Sequence, residues 1–281
     1  MLGQRVITAV LLLLVLLPAL FYPAPGPFCG LTILFIAAGA WEWARLSGCG
    51  PAASLLAATL CAVACLAAWG GGMLDRRLQS LWVVSAVIWA LGGAWLLRGG
   101  VESWRKLPRP ARLACGLLVL VLAWLAVAQA RIVGINFLLS VLLLVWVADI
   151  FAYFTGRTWG GRIARRKLAA TISPGKSWEG VWGGMAGVLV LALCWRWADA
   201  AVHPESPSLY SHLLEGNRWY MLLTVLWLAG MSVVGDLVES LIKRAAAVKD
   251  SSHLLPGHGG VLDRIDALLP TLPLAMLLYQ L

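Results

Sequence analysis

The sequence predicts an all-α, polytopic membrane protein with about nine transmembrane helices, and three observations predict it. The chain of 281 residues is 61% hydrophobic with a mean hydropathy of +0.84, only 12% of its residues are charged, and its apolar stretches run on without alternation. A hydrocarbon core ~30 Å thick needs about 20 apolar residues per helix, and in lipid only helices or closed barrels satisfy the backbone. A barrel would show short alternating segments, whereas residues 8–20 are continuously apolar.

The elements follow in order. Residues 5–22 resemble a signal peptide, with Arg5 before an apolar run, but the run is long and further spans come after it, so it reads as a retained first span. Residues 29–47 and 51–69 are parted only by Gly48 to Pro51. Residues 80–97 come next, then 113–131 and 132–156, which Arg131 alone punctuates. Residues 179–198, 219–236 and 261–281 complete the set. Six cysteines lie in or beside these stretches with no paired spacing and no accompanying histidines, and they read as small packing residues.

Charge tests the count. With nine spans, 17 of the 22 basic residues fall on one side, and only Arg76, Arg77, Arg131, Arg196 and Arg218 fall on the other. Because Lys and Arg accumulate in cytoplasmic loops, the N-terminus and two long polar connections, 157–178 and 237–260, are expected in the cytoplasm, with Tyr279 to Leu281 outside. The net charge of +9 then reflects this sorting and the attraction of basic loops to anionic headgroups. A nucleic-acid reading is excluded, since no basic domain lies outside the membrane.

Seven of the 13 acids, Asp149, Glu179, Asp236, Glu239, Asp250, Asp263 and Asp266, belong to two segments, 149–184 and 236–266. An ionisable group at membrane depth needs a partner, a water-filled cavity or a metal. On a helix, Asp236, Ser240 and Lys243 share one face. The run Pro256-Gly-His258-Gly259-Gly260 is a turn whose backbone amides can approach phosphate oxygens, and Asp263 and Asp266 follow at the start of a helix. Carboxylates beside such an opening suit Mg²⁺ bridging to a nucleotide, although helix capping with an internal salt bridge explains Asp263-Arg264-Ile-Asp266 equally well. His258, taken alone, reads as a turn histidine, and Lys243, Arg244 and Lys249 read as topology markers before phosphate ligands.

In the earlier segment, Gly175-Lys176-Ser177 has the tail of a phosphate-binding loop, but position 170 is Ala where that motif demands Gly. Gly180, Gly183, Gly184 and Gly187 form small-xxx-small pairs that predict tight helix packing.

The stretch from Ser240 to Asp266 resembles the signature of the phosphatidate cytidylyltransferases, or CDP-diglyceride synthetases. The matching residues are Ser240, Lys243, Arg244, Lys249, Asp250, Ser252, Leu255, Pro256, His258, Gly259, Gly260, Asp263, Arg264 and Asp266, all correctly spaced. Asp149 to Arg157 and Ile172 to Gly180 also look like this family, whereas residues 1–140 add only a similar apolar layout.

The resemblance implies transfer of CMP from CTP to phosphatidic acid with release of pyrophosphate, a divalent metal such as Mg²⁺, with K⁺ a candidate beside it, a homodimer, and a bacterial inner membrane. It implies Asp236 and Asp263 as metal carboxylates. Asp236, Ser240, Lys243, Arg244, Lys249, Asp250, His258, Asp263, Arg264 and Asp266 form the expected catalytic set. Asp149, Tyr153, Arg157, Ser173, Lys176, Ser177, Glu179, Gly259 and Gly260 form the expected substrate-binding set. Residues 1–112 would then be N-terminal transmembrane helices, and 113–281 the catalytic transmembrane region.

A transporter is the alternative of a different class, but it predicts inverted repeats, which are not found, and polar groups spread through the bilayer. The Asp-Gly-x-x-Ala-Arg pattern of CDP-alcohol phosphatidyltransferases does not occur.

Overall fold

The computed structural model describes residues 2–164 and 166–281, apart from the side chains of Leu2 and Arg5. Among these residues there is no β-strand, and the only bridges are the isolated pairs Ala169–Ser173 and Leu255–Gly259. The helices are α1 (Leu2–Phe21), α2 (Gly26–Leu46), α3 (Pro51–Gly70), α4 (Gln79–Val87), α5 (Gly93–Lys106), α6 (Arg109–Val133), α7 (Ile135–Trp159), α8 (Trp178–Val202), α9 (Leu209–Leu214), α10 (Arg218–Ala245), α11 (Leu262–Ile265) and α12 (Leu268–Gln280). A π-turn over Ile88–Gly92 joins α4 to α5.

Among the described residues, seven helical stretches are long and apolar enough to cross a membrane: α2, α3, the joined α4–α5, α6, α7, α8 and α10. Two predicted spans depart from that standard. In α1 the apolar stretch is the shorter Val6–Phe21. Residues 261–281 divide into α11 and α12, and 13-residue α12 alone covers ~20 Å, short of the ~30 Å hydrocarbon core. Nearly all of α12 is buried by its neighbours, so it lies inside the bundle and does not face lipid. One boundary also moves. The break between α6 and α7 falls at Gly134, while Arg131 is buried within α6 and donates to the carbonyls of Leu20 (2.9 Å) and Tyr22 (2.6 Å), tying the end of α1 down.

Hydrogen bonds sort the connections into two ends, as the charge count divides them. At one end Thr8 donates to the Pro256 carbonyl at 2.9 Å, Arg244 to that of Ile172 at 3.2 Å, and Arg105 to that of Ala245 at 3.4 Å. At the other, Gln129 donates to the Met73 and Arg76 carbonyls, and Gln280 accepts from the Leu78 amide at 3.1 Å.

The glycines of α8 pack as predicted: a Cβ at Gly184 would stand 2.8 Å from the Ala148 carbonyl oxygen, so α7 and α8 meet backbone to backbone. The six cysteines are free, with Cys29, Cys61 and Cys65 buried in the packing. One apolar core runs from Leu20 to Leu278 and draws on both sequence regions.

Candidate active site

Three helices frame a cavity of about 440 Å³ at the end of the bundle that carries the long polar connections. From α7 come Asp149, Tyr153 and Arg157, and from α10 comes Asp236. The connection into α8 supplies Lys176 and Ser177. Ser177 also caps α8, accepting from the Gly180 amide at 3.1 Å, which fixes where the loop ends and the helix begins. The Arg157 guanidinium donates to the Tyr153 hydroxyl at 2.7 Å, so the two line the cavity as a pair.

The charges in this cavity are coupled. Lys176 forms an ion pair with Asp236, whose Oδ1 also accepts from the Ser240 hydroxyl at 3.3 Å. Asp149 and Asp266 both lie within range of the Asp236 charge. Asp149, Asp236 and Asp266 thus share the field of the Lys176 ammonium, which Lys243 joins at Asp266, and all three offer hard oxygen donors.

Beside the cavity lies a second cluster. Lys243 Nζ sits 2.6 Å from Asp263 Oδ1 and 2.5 Å from Glu239 Oε2. Asp263 Oδ2 accepts from the Ser251 amide (3.0 Å), the Ser251 hydroxyl (3.0 Å) and the Gly260 amide (2.7 Å). Leu255 to His258 forms a turn closed by the His258 amide on the Leu255 carbonyl at 2.8 Å, with Pro256 second and Gly257 third at φ +78°, as a type II turn requires.

Two buried carboxylates hold the two connections in shape. Glu179 Oε1 accepts from the amides of Gly161, Ile163 and Ala164 at 2.8–3.1 Å. Glu42, on α2 and fully buried, accepts from Ser251, Ser252, Val261 and Leu262. Glu42 lies outside both acid-rich segments of the sequence. The signal was an acid inside an apolar span, but its partners lie more than 200 residues away.

The expected site residues thus separate by position. Asp149, Tyr153, Arg157, Lys176, Ser177 and Asp236 line the cavity, and Ser240, Lys243, Asp263 and Asp266 adjoin it. Arg244 holds the earlier loop through the Ile172 carbonyl, and Arg264 holds the turn through the His258 carbonyl at 2.6 Å. Ser173 lies in the loop turn, accepting from the Lys176 amide, and Lys249 and Asp250 are exposed beyond α10. Of the turn amides expected as phosphate donors, those of His258 and Gly260 are engaged within the protein, as are the Val261 and Leu262 amides just after the turn. The His258 amide closes the turn, Gly260 turns to Asp263, and Val261 and Leu262 turn to Glu42, because buried carboxylates lie beneath them. His258 Nδ1 is buried without a hydrogen-bond partner among the described residues.

No group of three or more Asp, Glu, His or Cys side chains is gathered tightly enough to ligate a metal among the described residues. The two carboxylates expected to hold one, Asp236 and Asp263, each already hold a cation, the ammonium groups of Lys176 and Lys243. Both carboxylates are hard oxygen donors of the kind Mg²⁺ takes, but a metal there would have to displace Lys176 or Lys243.

The family model described as the cytidylyltransferase family matches residues 3–281. The chain belongs to the cytidylyltransferase family. Its similarity to individual members is as extensive. The phosphatidate cytidylyltransferase of Pseudomonas aeruginosa is 39% identical over 279 residues, covering 97% of this chain and 95% of its own length. That of Haemophilus influenzae is 37% identical over 306 residues, 99% of both chains. That of Bacillus subtilis is 38% identical over 148 residues, about half of each. The matches along the whole length bring residues 1–112 within the cytidylyltransferase family too, and with them Glu42.

Proposed function

We propose that this chain transfers the cytidylyl group of CTP to phosphatidic acid, giving CDP-diacylglycerol and pyrophosphate. The observation that carries the reading is a charged cavity at one end of a membrane bundle, lined by Asp149, Lys176 and Asp236, in a chain whose relatives along its whole length are phosphatidate cytidylyltransferases. A transporter is disfavoured by the same arrangement, since these acids collect at one end instead of marking a path through the bilayer.

In this reaction a phosphate oxygen of the lipid attacks the α-phosphorus of CTP, and the bond to the β-phosphate breaks as pyrophosphate leaves. The nucleophile is already an anion, so alignment and charge neutralisation matter more than a strong base. Lys176 and Arg157 line the cavity and Lys243 stands in the cluster beside it, with Arg244, Lys249 and Arg264 at the same end. They screen repulsion between two anionic substrates and stabilise the departing pyrophosphate. Asp236 and Asp263 would hold Mg²⁺, with Asp149 and Asp266 adding negative charge, and the bound ion would supply charge neutralisation on the phosphate oxygens. K⁺ beside it, and a homodimer, are carried by the family resemblance. His258 is kept for a phosphate contact or a proton shuttle. The cavity end faces the cytoplasm of a bacterial inner membrane, where CTP is available, and the lipid enters from the leaflet.

The test incubates purified protein with labelled CTP, phosphatidic acid and Mg²⁺. CDP-diacylglycerol and pyrophosphate should appear in equal amounts, chelation should stop turnover, and added Mg²⁺ should restore it. A folded preparation that forms no product refutes the proposal.

A further inference from the structure

A carboxylate with no exposed surface, near the end of an apolar helix, must have its charge satisfied by partners. Glu42 on α2 has four. Its Oε1 accepts from the Ser252 hydroxyl at 2.5 Å and the Val261 amide at 2.9 Å, and its Oε2 from the Ser251 hydroxyl at 3.1 Å and the Leu262 amide at 2.7 Å. All four donors belong to residues 251–262, the stretch that carries the turn and leads into Asp263. We infer that Glu42 is a positioning residue for cytidylyl transfer, holding this stretch so that Asp263 is presented to the site.

The geometry ties the two carboxylates together. The Ser251 hydroxyl stands 3.1 Å from Glu42 Oε2 and 3.0 Å from Asp263 Oδ2, so the two carboxylates share its single proton. The Gly260 amide donates to Asp263 from the residue directly before Val261, whose amide donates to Glu42. Gly260 itself leaves the space: a Cβ there would stand 2.4 Å from Glu42 Oε1 and 2.0 Å from the Ser251 hydroxyl. With Asp263 Oδ2 held in this way, Oδ1 is left facing Lys243.

Docking of α2 against this region does not depend on Glu42 alone, because Gly39, one turn earlier, packs on Leu262 and Ile265. The chemistry at position 42 is demanding. Each carboxylate oxygen takes one backbone N–H, so a glutamine, whichever way its amide turns, sets an NH₂ against one of those donors. Aspartate is shorter by a methylene and cannot reach both amides. Glu42 touches no substrate on this reading; it acts through Asp263.

The inference rests on the proposal that Asp263 serves the transfer, and the experiment separates the two. Full-length E42Q, E42D, S252A and D263N proteins, with the exposed E102Q as control, are assayed in phosphatidate-containing vesicles for kcat, KM for each substrate, Mg²⁺ dependence and thermal unfolding. A residue that orients a reacting or metal-binding group costs about 10–100-fold when replaced, so E42Q should lower kcat by that factor. It should also raise the Mg²⁺ concentration for half-activation and leave KM for phosphatidate within about twofold, a split that general destabilisation does not produce. S252A, losing one of the four bonds, should shift kcat and Mg²⁺ dependence in the same direction by less, and it decides the matter if E42Q does not fold. A folded E42Q or, failing that, S252A with wild-type kcat and Mg²⁺ dependence overturns the inference. Full activity in D263N would instead overturn the role of Asp263.

Discussion

Lys176 sits on a carboxylate in the cavity wall and Lys243 on two carboxylates in the cluster beside it, so the effects of removing them should differ. Lys243 is 14% exposed and bridges Glu239 and Asp263, which are 3% and 6% exposed. Deleting its charge strands two buried carboxylates, and breaking such a pair costs about 3–5 kcal/mol. Lys243→Met should therefore lower both unfolding stability and turnover, readable together by thermal melting and product formation. Lys176 and Asp236 are 25% and 30% exposed, so Lys176→Met should cost only about 1 kcal/mol while removing most activity. Asp236→Asn should insert and fold yet lose turnover by about a hundredfold or more if, as proposed, its charge serves the metal and phosphates; near-normal activity would refute that role. The residue types at these positions were legible in the sequence, since acids and lysines clustered in two segments of an apolar chain. Glu42 was not, because nothing local to residue 42 indicates the Ser251, Ser252, Val261 and Leu262 donors that satisfy it.

At the scale of helices, the cavity depends on how closely α7 and α8 approach. The small residues Gly180 and Gly184 let the α8 backbone reach the carbonyls of Ala152 and Ala148, and this contact sets the spacing of Asp149 and Tyr153 from Lys176 and Ser177. Gly184→Leu would force a Cβ to 2.8 Å from a backbone oxygen, which no side-chain adjustment relieves. The two helices must part, at a cost of about 1–3 kcal/mol as in other overpacked sites. The expected result is a lower melting temperature and a raised KM for CTP; a wild-type KM would show that the cavity does not depend on this contact. Helices of this kind read well from sequence, because a lipid-facing or core-facing helix needs an unbroken apolar run. Their interruptions read poorly. Asp266–Ala267 and Gly134 are breaks whose amides are satisfied locally, Gly134 by the Ala130 carbonyl and Ala267 by Asp266 Oδ1, and Arg131 looked like a boundary only because its carbonyl partners at Leu20 and Tyr22 are far away in sequence.

For the molecule as a whole, sidedness is the property on which access to CTP depends. The division of 17 basic residues against five rests on the parity of nine crossings, and the structure gives an independent reason to count residues 262–280 as the ninth. Although α12 is too short to span alone, α11 and α12 together run from the Asp263 cluster to the opposite end. There Gln280 accepts from the Leu78 amide through its side chain at 3.1 Å and from Arg77 through its carbonyl at 3.2 Å. Arg77 and Gln280 must then share a side, and Asp263 and Pro256 must share the other with Thr8 and Lys176. If basic loops stay in the cytoplasm, the C-terminus lies outside. A reporter active only beyond the cytoplasmic membrane should give signal when fused after Leu281 and none when inserted in the 157–178 connection. A cytoplasmic signal at Leu281 would mean an even number of crossings. Because the hydrogen bonds from Arg77 and Leu78 hold the chain end, the error would then lie among the first three helices, where α1 has the shortest apolar stretch.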